Sequence, residues 1–147
     1  MKIAVGCDPN AAAFKAELIE FTKSLGHEVV DYGSDDPIYA RVAFRVAEEV
    51  AGGICDRGLL FCGTGIGASI AANKVKGAYA ACVSNVYQAQ RAELSNDANI
   101  ITIGSQVIGV ELAKCFIKEY LSLQFDASGR SGPKVEAIVD YEREHFR

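Results

Sequence analysis

No stretch of this 147-residue sequence approaches the about 18 consecutive apolar residues of a membrane-spanning helix, and no signal-peptide pattern opens it. A membrane partner and a secretory route are therefore not expected. Neither sign of charge dominates: 15 Lys and Arg against 19 Asp and Glu leave a net charge of −4 and a pI near 5.2, which gives no reason to expect nucleic acid. Histidine is scarce. His27 and His145 are the only two, one in a loop and one near the C-terminus, and both read as surface residues. The five cysteines are odd in number and lack the paired spacing of metal ligands, so no metal site is expected. Cys7, Cys55, Cys82 and Cys115 read as small apolar core or near-core residues in a reducing cytoplasm. Internal repeats, linkers and low-complexity segments are missing as well, which leaves residues 1–147 as a single domain.

What is present is a regular alternation of strand and helix signals. Half of the residues are hydrophobic and 23% are charged, an ordinary balance for a chain with one packed core. Short apolar runs at 2–7, 28–32, 58–62, 78–83 and 99–103 predict five strands. Between and after them, helices are predicted at about 11–25, 38–51, 67–75, 86–94, 109–123 and 135–145. In the first of these Phe14, Leu18, Phe21 and Leu25 fall on one face, and in the fifth Val110, Ala113, Phe116, Ile117 and Leu121 do. Strands that alternate with helices predict an α/β fold, a three-layer sandwich whose parallel sheet is covered on both faces.

The run at residues 58–74 carries the most chemistry. An apolar strand (Leu59, Leu60, Phe61) ends in Cys62, glycines follow at 63, 65 and 67, and a helix begins. In a parallel α/β fold such a strand end opens on the ligand crevice. Glycines let backbone N–H groups turn toward an anion or oxyanion at the start of a helix. A cysteine at the rim of that loop is expected to be partly exposed, with a lowered thiol pKa, alone among the five.

Three further segments are expected near the same crevice. Asp8, after the first strand, is a helix N-cap with Pro9 at the first helical position, and a substrate-binding role is compatible with that. Residues 95–99 (Ser-Asn-Asp-Ala-Asn) form a polar turn before the fifth strand. Residues 129–134 place Arg130 and Lys134 four apart in a Gly/Pro turn, as solvated surface or as a phosphate clamp. A tyrosine-phosphatase chemistry would need an arginine six residues after the cysteine, and that position is Ala68. A dinucleotide site would need Gly-x-Gly-x-x-Gly after the first strand, whereas the glycines here are spaced Gly-x-Gly-x-Gly after the third.

Taken together, Gly6-Cys7-Asp8, the run from Cys62 to Gly67 with residues 69–74 behind it, residues 96–99, Gly104-Ser105, residues 109–113 and Arg130 with residues 135–138 resemble the sugar-phosphate isomerases typified by ribose-5-phosphate isomerase B and the galactose-6-phosphate isomerase subunits. The resemblance covers about residues 2–141. It implies a Rossmann-like or flavodoxin-like sandwich and a homodimer, in some cases a tetramer, with the C-terminal helix at the interface and active sites shared between subunits. It implies a small phosphorylated sugar as substrate and neither metal nor organic cofactor. Cys62 would be the base that moves a proton between C1 and C2, with the Thr64 hydroxyl beside it. The backbone of Gly63, Gly65, Ile66 and Gly67 would hold the enediolate oxygen. Asp8 and Tyr39 would contact the sugar, Ser69 and Asn73 would brace the loop, and Asn96 would reach in from the neighbour. Arg130 and Lys134 would take the phosphate.

Two positions depart from the family pattern. Pro9 and Ser95 stand where the ribose enzymes usually carry histidines, the second of which is the one thought to open the sugar ring. A tetrose 4-phosphate cannot close a furanose ring through O4, so the departure predicts a short open-chain substrate such as D-erythrulose 4-phosphate. Ribose 5-phosphate, a hexose 6-phosphate, or a non-catalytic sugar-phosphate-binding subunit are the alternatives.

Overall fold

The computed structural model describes residues 1–147. Its elements follow the predicted alternation: β1 (Lys2–Cys7), α1 (Ala12–Ser24), β2 (Glu28–Asp31), α2 (Tyr39–Ala51), β3 (Arg57–Cys62), α3 (Ile66–Ala72), β4 (Ala80–Cys82), α4 (Val86–Leu94), β5 (Ile100–Gly104), α5 (Val110–Ser122) and α6 (Gly132–His145). A single 3₁₀ turn (Pro9–Ala11) joins β1 to α1, capped by Asp8 with Pro at its start. All strand pairings are parallel, in the order β2-β1-β3-β5-β4. This differs from the flavodoxin order in its last two strands. The reason is visible in composition. Every residue of β5 is buried, as a central strand requires, whereas the alanines of β4 are half-buried and Cys82 is exposed.

Side-chain alternation along the strands sorts the core into two layers. Ile3, Val5, Leu59, Phe61, Ile101 and Ile103 face α1, α4 and α5. Ala4, Leu60, Cys62 and Ile100 face α2 and α3, whose inner surfaces are small: Ala43, Ala47, Ala68, Ala71 and Ala72. Leftward crossovers (β1 to β2, β4 to β5) carry their helices on the first face, and rightward ones (β2 to β3, β3 to β4) on the second. One handedness throughout produces that arrangement.

Three boundaries moved. α3 stops at Ala72 because the Asn73 amide turns to the edge of β4, donating to Ala80 O at 2.8 Å and accepting from Ala80 N at 2.8 Å. The amide closes a strand edge that would otherwise offer unpaired backbone groups. β4 is shorter than its apolar run for the same reason. α6 starts at Gly132, with Pro133 in its first turn, so Lys134 lies inside the helix. No helix is long and apolar enough to cross a membrane.

Candidate active site

The C-terminal ends of β1, β3 and β5 lie side by side, with Cys7 opposite Phe61 and Cys62 opposite Gly104. Asp8 follows directly, its N–H donating to Phe61 O at 3.2 Å. One Asp8 carboxylate oxygen accepts the Ala11 N–H at 3.1 Å, so its capping role is realised and its second oxygen is left over for a ligand.

From Cys62 the chain turns back over its own sulfur. Gly65, at φ +79°, sits in the left-handed region and aims its N–H at Cys62 Sγ, 3.1 Å away. The Ile66 N–H is taken by Thr64 Oγ1 at 3.3 Å. Two N–H groups of the expected anion hole are therefore spent inside the loop. Those of Gly63, Thr64, Gly67 and Ala68 have no acceptor in the chain and remain free for a ligand oxygen. Below the loop, buried Thr102 donates its hydroxyl to Gly65 O at 2.7 Å. Gly104 lies so close that a Cβ on it would be 2.6 Å from the Thr64 carbonyl carbon and oxygen. Tyr39, at the start of α2, closes the side: a Cβ on Gly67 would overlap its hydroxyl. Gln106 covers Gly63, and its N–H donates to Gly63 O at 3.0 Å.

Two expectations about cysteine are overturned. Cys62 is only 4% exposed, because the Gly65 turn and the alanines of α3 close over it. The exposed thiols are Cys82 and Cys115, one at the end of the edge strand and one on the outer side of α5. Cys7 and Cys55 are buried as expected. Burial pushes the Cys7 thiol up to about 11, so Cys7 stays neutral near pH 7.

Ser69 and Asn73 act on β4 and not on the crevice. The Ser69 hydroxyl donates to Ala80 O at 3.1 Å, tying the first turn of α3 to the edge strand. Ile66 is exposed at the helix start.

A larger correction concerns residues 95–99. They precede β5, and Ile100 pairs with Gly58 at the start of β3, whereas Cys62 is at its end. Four residues of strand at about 3.3 Å each separate those levels by about 13 Å, so Asn96 lies at the opposite end of the sheet from Cys62. There the Asn96 amide donates to Arg91 O at 3.0 Å, and Ser95 Oγ accepts from Arg91 Nε at 2.5 Å. The segment carrying Arg130 starts from this same end, since Phe125 N donates to Glu93 of α4 at 3.0 Å. Arg130 and Lys134 are both exposed. Asn96 also forms part of the wall of a groove of about 430 Å³ between β4 and α6. One chain thus holds two separate sets of candidate residues. Asp8, Tyr39 and the 62–67 loop are on one, and Ser95, Asn96, Arg130 and Lys134 are on the other. Neither histidine joins them: His27 meets the N-terminal amine at 3.2 Å, and His145 stacks on Tyr141 at 4.0 Å.

Sequence reasoning missed Thr102, Gln106 and Cys82 as neighbours of the loop. Cys82 Sγ donates to Thr64 O at 3.8 Å. Cys82 ends β4 and Gln106 follows β5 by two residues, which could have signalled them, whereas Thr102 stands in the middle of β5 and its only signal is a hydroxyl within an apolar run.

Residues 3–138 match the family model for ribose/galactose isomerases. The chain is 43% identical over 148 residues to the D-erythrulose-4-phosphate isomerase of Pectobacterium atrosepticum, covering 98% of this chain and 97% of that one. It is also 43% identical over 145 residues to ribose-5-phosphate isomerase B of Escherichia coli, covering 97% of each. Among solved structures, ribose-5-phosphate isomerase B of Clostridium thermocellum superposes with a TM-score of 0.92 at 40% identity over 99% of each chain.

Proposed function

The chain belongs to the ribose/galactose isomerase family and is a sugar-phosphate aldose–ketose isomerase, and from that premise we propose that it interconverts a short open-chain ketose phosphate and its aldose, with Cys62 as the base. In the ketose direction Cys62 takes a proton from C1, and the electron pair of that C–H bond forms the C1–C2 double bond. The C2 carbonyl oxygen becomes the enediolate oxygen. Return of the proton to C2 and transfer of the O1 proton to the enediolate oxygen on C2 complete the aldose. The observation that carries this reading is the loop itself. One N–H faces the sulfur, and four N–H groups of the same loop are unpaired and free for the oxygen on which charge develops.

Ser95 supports a four-carbon substrate. Its hydroxyl is held by Arg91, and no imidazole stands near it to open a ring. Erythrulose 4-phosphate and erythrose 4-phosphate need no such group, because phosphorylated O4 cannot close on the carbonyl. Overall identity does not discriminate between substrates, since the relatives named for erythrulose 4-phosphate and for ribose 5-phosphate are equally similar at 43%. The expected result is a kcat/KM for erythrulose 4-phosphate at least equal to that for ribose 5-phosphate. A tenfold preference for the pentose, about 1.4 kcal/mol of transition-state binding, would overturn the tetrose reading.

The site is completed by a second copy of the chain, which brings Asn96, Arg130 and Lys134 to the Cys62 loop. The separation of the two residue sets within one chain supports this. So does α6, which buries only Gly132 and leaves Ile138 and Tyr141 exposed. Mixing Cys62→Ala and Arg130→Ala proteins after unfolding, and assaying at substrate concentrations far below the raised KM of Arg130→Ala, where each protein alone turns over little, tests the arrangement. Half of the dimers are then mixed, and each holds one intact site of two, so activity returns to about a quarter of wild type. No recovery would mean that each chain builds its own site.

A further inference from the structure

A buried ionic cluster at the end of the sheet opposite Cys62 has no part in the chemistry described so far. Arg57, the first residue of β3, is 6% exposed, and Glu93 of α4 is 3% exposed. They meet at 3.1 Å. Arg57 also donates to Tyr120 O at 2.5 Å and to Leu123 O at 2.7 Å, closing the last turn of α5. Glu93 accepts the Phe125 N–H at 3.0 Å. Tyr120, fully buried, lies with its ring centroid 4.9 Å from the Arg57 guanidinium and donates its hydroxyl to Ala98 O at 2.6 Å.

Two segments hang from this cluster. The first is the 95–98 turn, in which Asp97 adopts φ +48° and donates its N–H to Glu93 O at 3.1 Å. Tyr120 fixes its far side through Ala98. The second begins at Phe125 and is stiff from there to α6. Asp126 accepts from the Ser128 N–H at 3.0 Å and from its hydroxyl at 2.7 Å, and Gly129 N donates to Asp126 O at 3.1 Å. A buried charge pair bonded on all sides has one geometry, whereas solvated arginine and glutamate side chains have many.

We propose that Arg57, Glu93 and Tyr120 are positioning residues that hold Asn96 and the Arg130–Lys134 turn at a fixed spacing, so that one subunit presents its amide and its phosphate-binding cations to the partner's site as a unit. The proposal rests on the shared-site reading above. None of the three touches substrate. Each acts through the backbone of a segment that does.

Tyr120→Phe tests it with the least damage, because only the hydroxyl is removed from a ring that stays buried. The expected result is a rise of about three- to tenfold in KM for the phosphorylated substrate, with kcat changed less than about twofold. The inhibition constant of inorganic phosphate should rise by the same factor. Glu93→Gln should move both in the same direction and further, if it folds. In an Asn96→Ala, Arg130→Ala background, where the presented side chains are removed from both segments, Tyr120→Phe should have no further effect on either constant, which a general loss of stability would not mimic. Unchanged KM and phosphate inhibition in folded Tyr120→Phe, while Arg130→Ala raises both, would overturn the positioning role and leave the shared site standing. A Tyr120→Phe effect that persists without both Asn96 and Arg130 would also overturn it. If Arg130→Ala itself changes neither constant, the shared-site reading falls and takes this proposal with it.

Discussion

Replacing Cys62 by alanine is expected to lower kcat by about 10²–10⁴-fold, the usual worth of a positioned acid–base group, with little change in KM. The fold should survive. The lost sulfur leaves a small cavity costing about 1 kcal/mol, and the Gly65 N–H loses its acceptor at a further cost of about 1–3 kcal/mol. Both lie within the usual margin of stability of about 5–15 kcal/mol. Cys62→Ser separates two roles for the sulfur. Serine keeps an acceptor for the Gly65 N–H but offers a hydroxyl far too weakly acidic to serve as the base. Equal losses in kcat for both variants assign proton transfer to the sulfur, whereas recovery in the serine variant would reduce it to a hydrogen-bond acceptor. Wild-type kcat in the alanine variant would end the assignment. Cys7→Ala is the control, because the Cys7 side chain belongs to the layer facing α1, α4 and α5 and its burial keeps it neutral.

The strands and helices were legible because each is a local pattern. The 2–7 and 58–62 runs show themselves by apolar content, and the inward faces of α1 and α5 by a helical period. The loop at Cys62 was legible as a candidate site because a strand end, a sulfur and alternating glycines are contiguous in sequence. The burial of the sulfur was not legible, since the closing groups are the left-handed turn at Gly65 and the small face of α3. Strand order was equally hidden. Nothing local says that β5 inserts between β3 and β4. The 95–99 turn did not need that step, since in a parallel sheet a segment that precedes a strand lies at the end opposite the crevice. Its misplacement came from weighing nearness to a strand without the strand's direction. Arg57 reads as a polar flank to an apolar run. It is buried because Glu93 and the last turn of α5, distant in sequence, surround it. Pairings of this kind arise from the packed fold and leave no periodic trace.

Gly104→Ala is the second substitution with a large expected effect, and it acts on the oxyanion hole without touching Cys62. The backbone at 63–65 rides directly on the end of β5: an alanine methyl at 104 would lie 2.6 Å from the carbonyl carbon and oxygen of Thr64. No side chain is there to give way, so the loop itself must lift. Overpacking of this kind costs about 1–3 kcal/mol, which the fold can absorb. The geometry cannot absorb it as easily. A shift of about 1 Å in the donors that meet developing charge is worth about 100-fold in rate. Those donors meet full charge only in the enediolate-like transition state, so kcat should fall more than KM rises. Gly109→Ala, where an added methyl meets nothing within 4 Å, is the matched control and should leave kcat unchanged. A Gly104→Ala enzyme with kcat within about twofold of wild type would mean that the loop tolerates displacement. The free N–H groups of Gly63, Thr64, Gly67 and Ala68 could not then be the oxyanion hole, and the charge on the enediolate would have to be held from the partner's side.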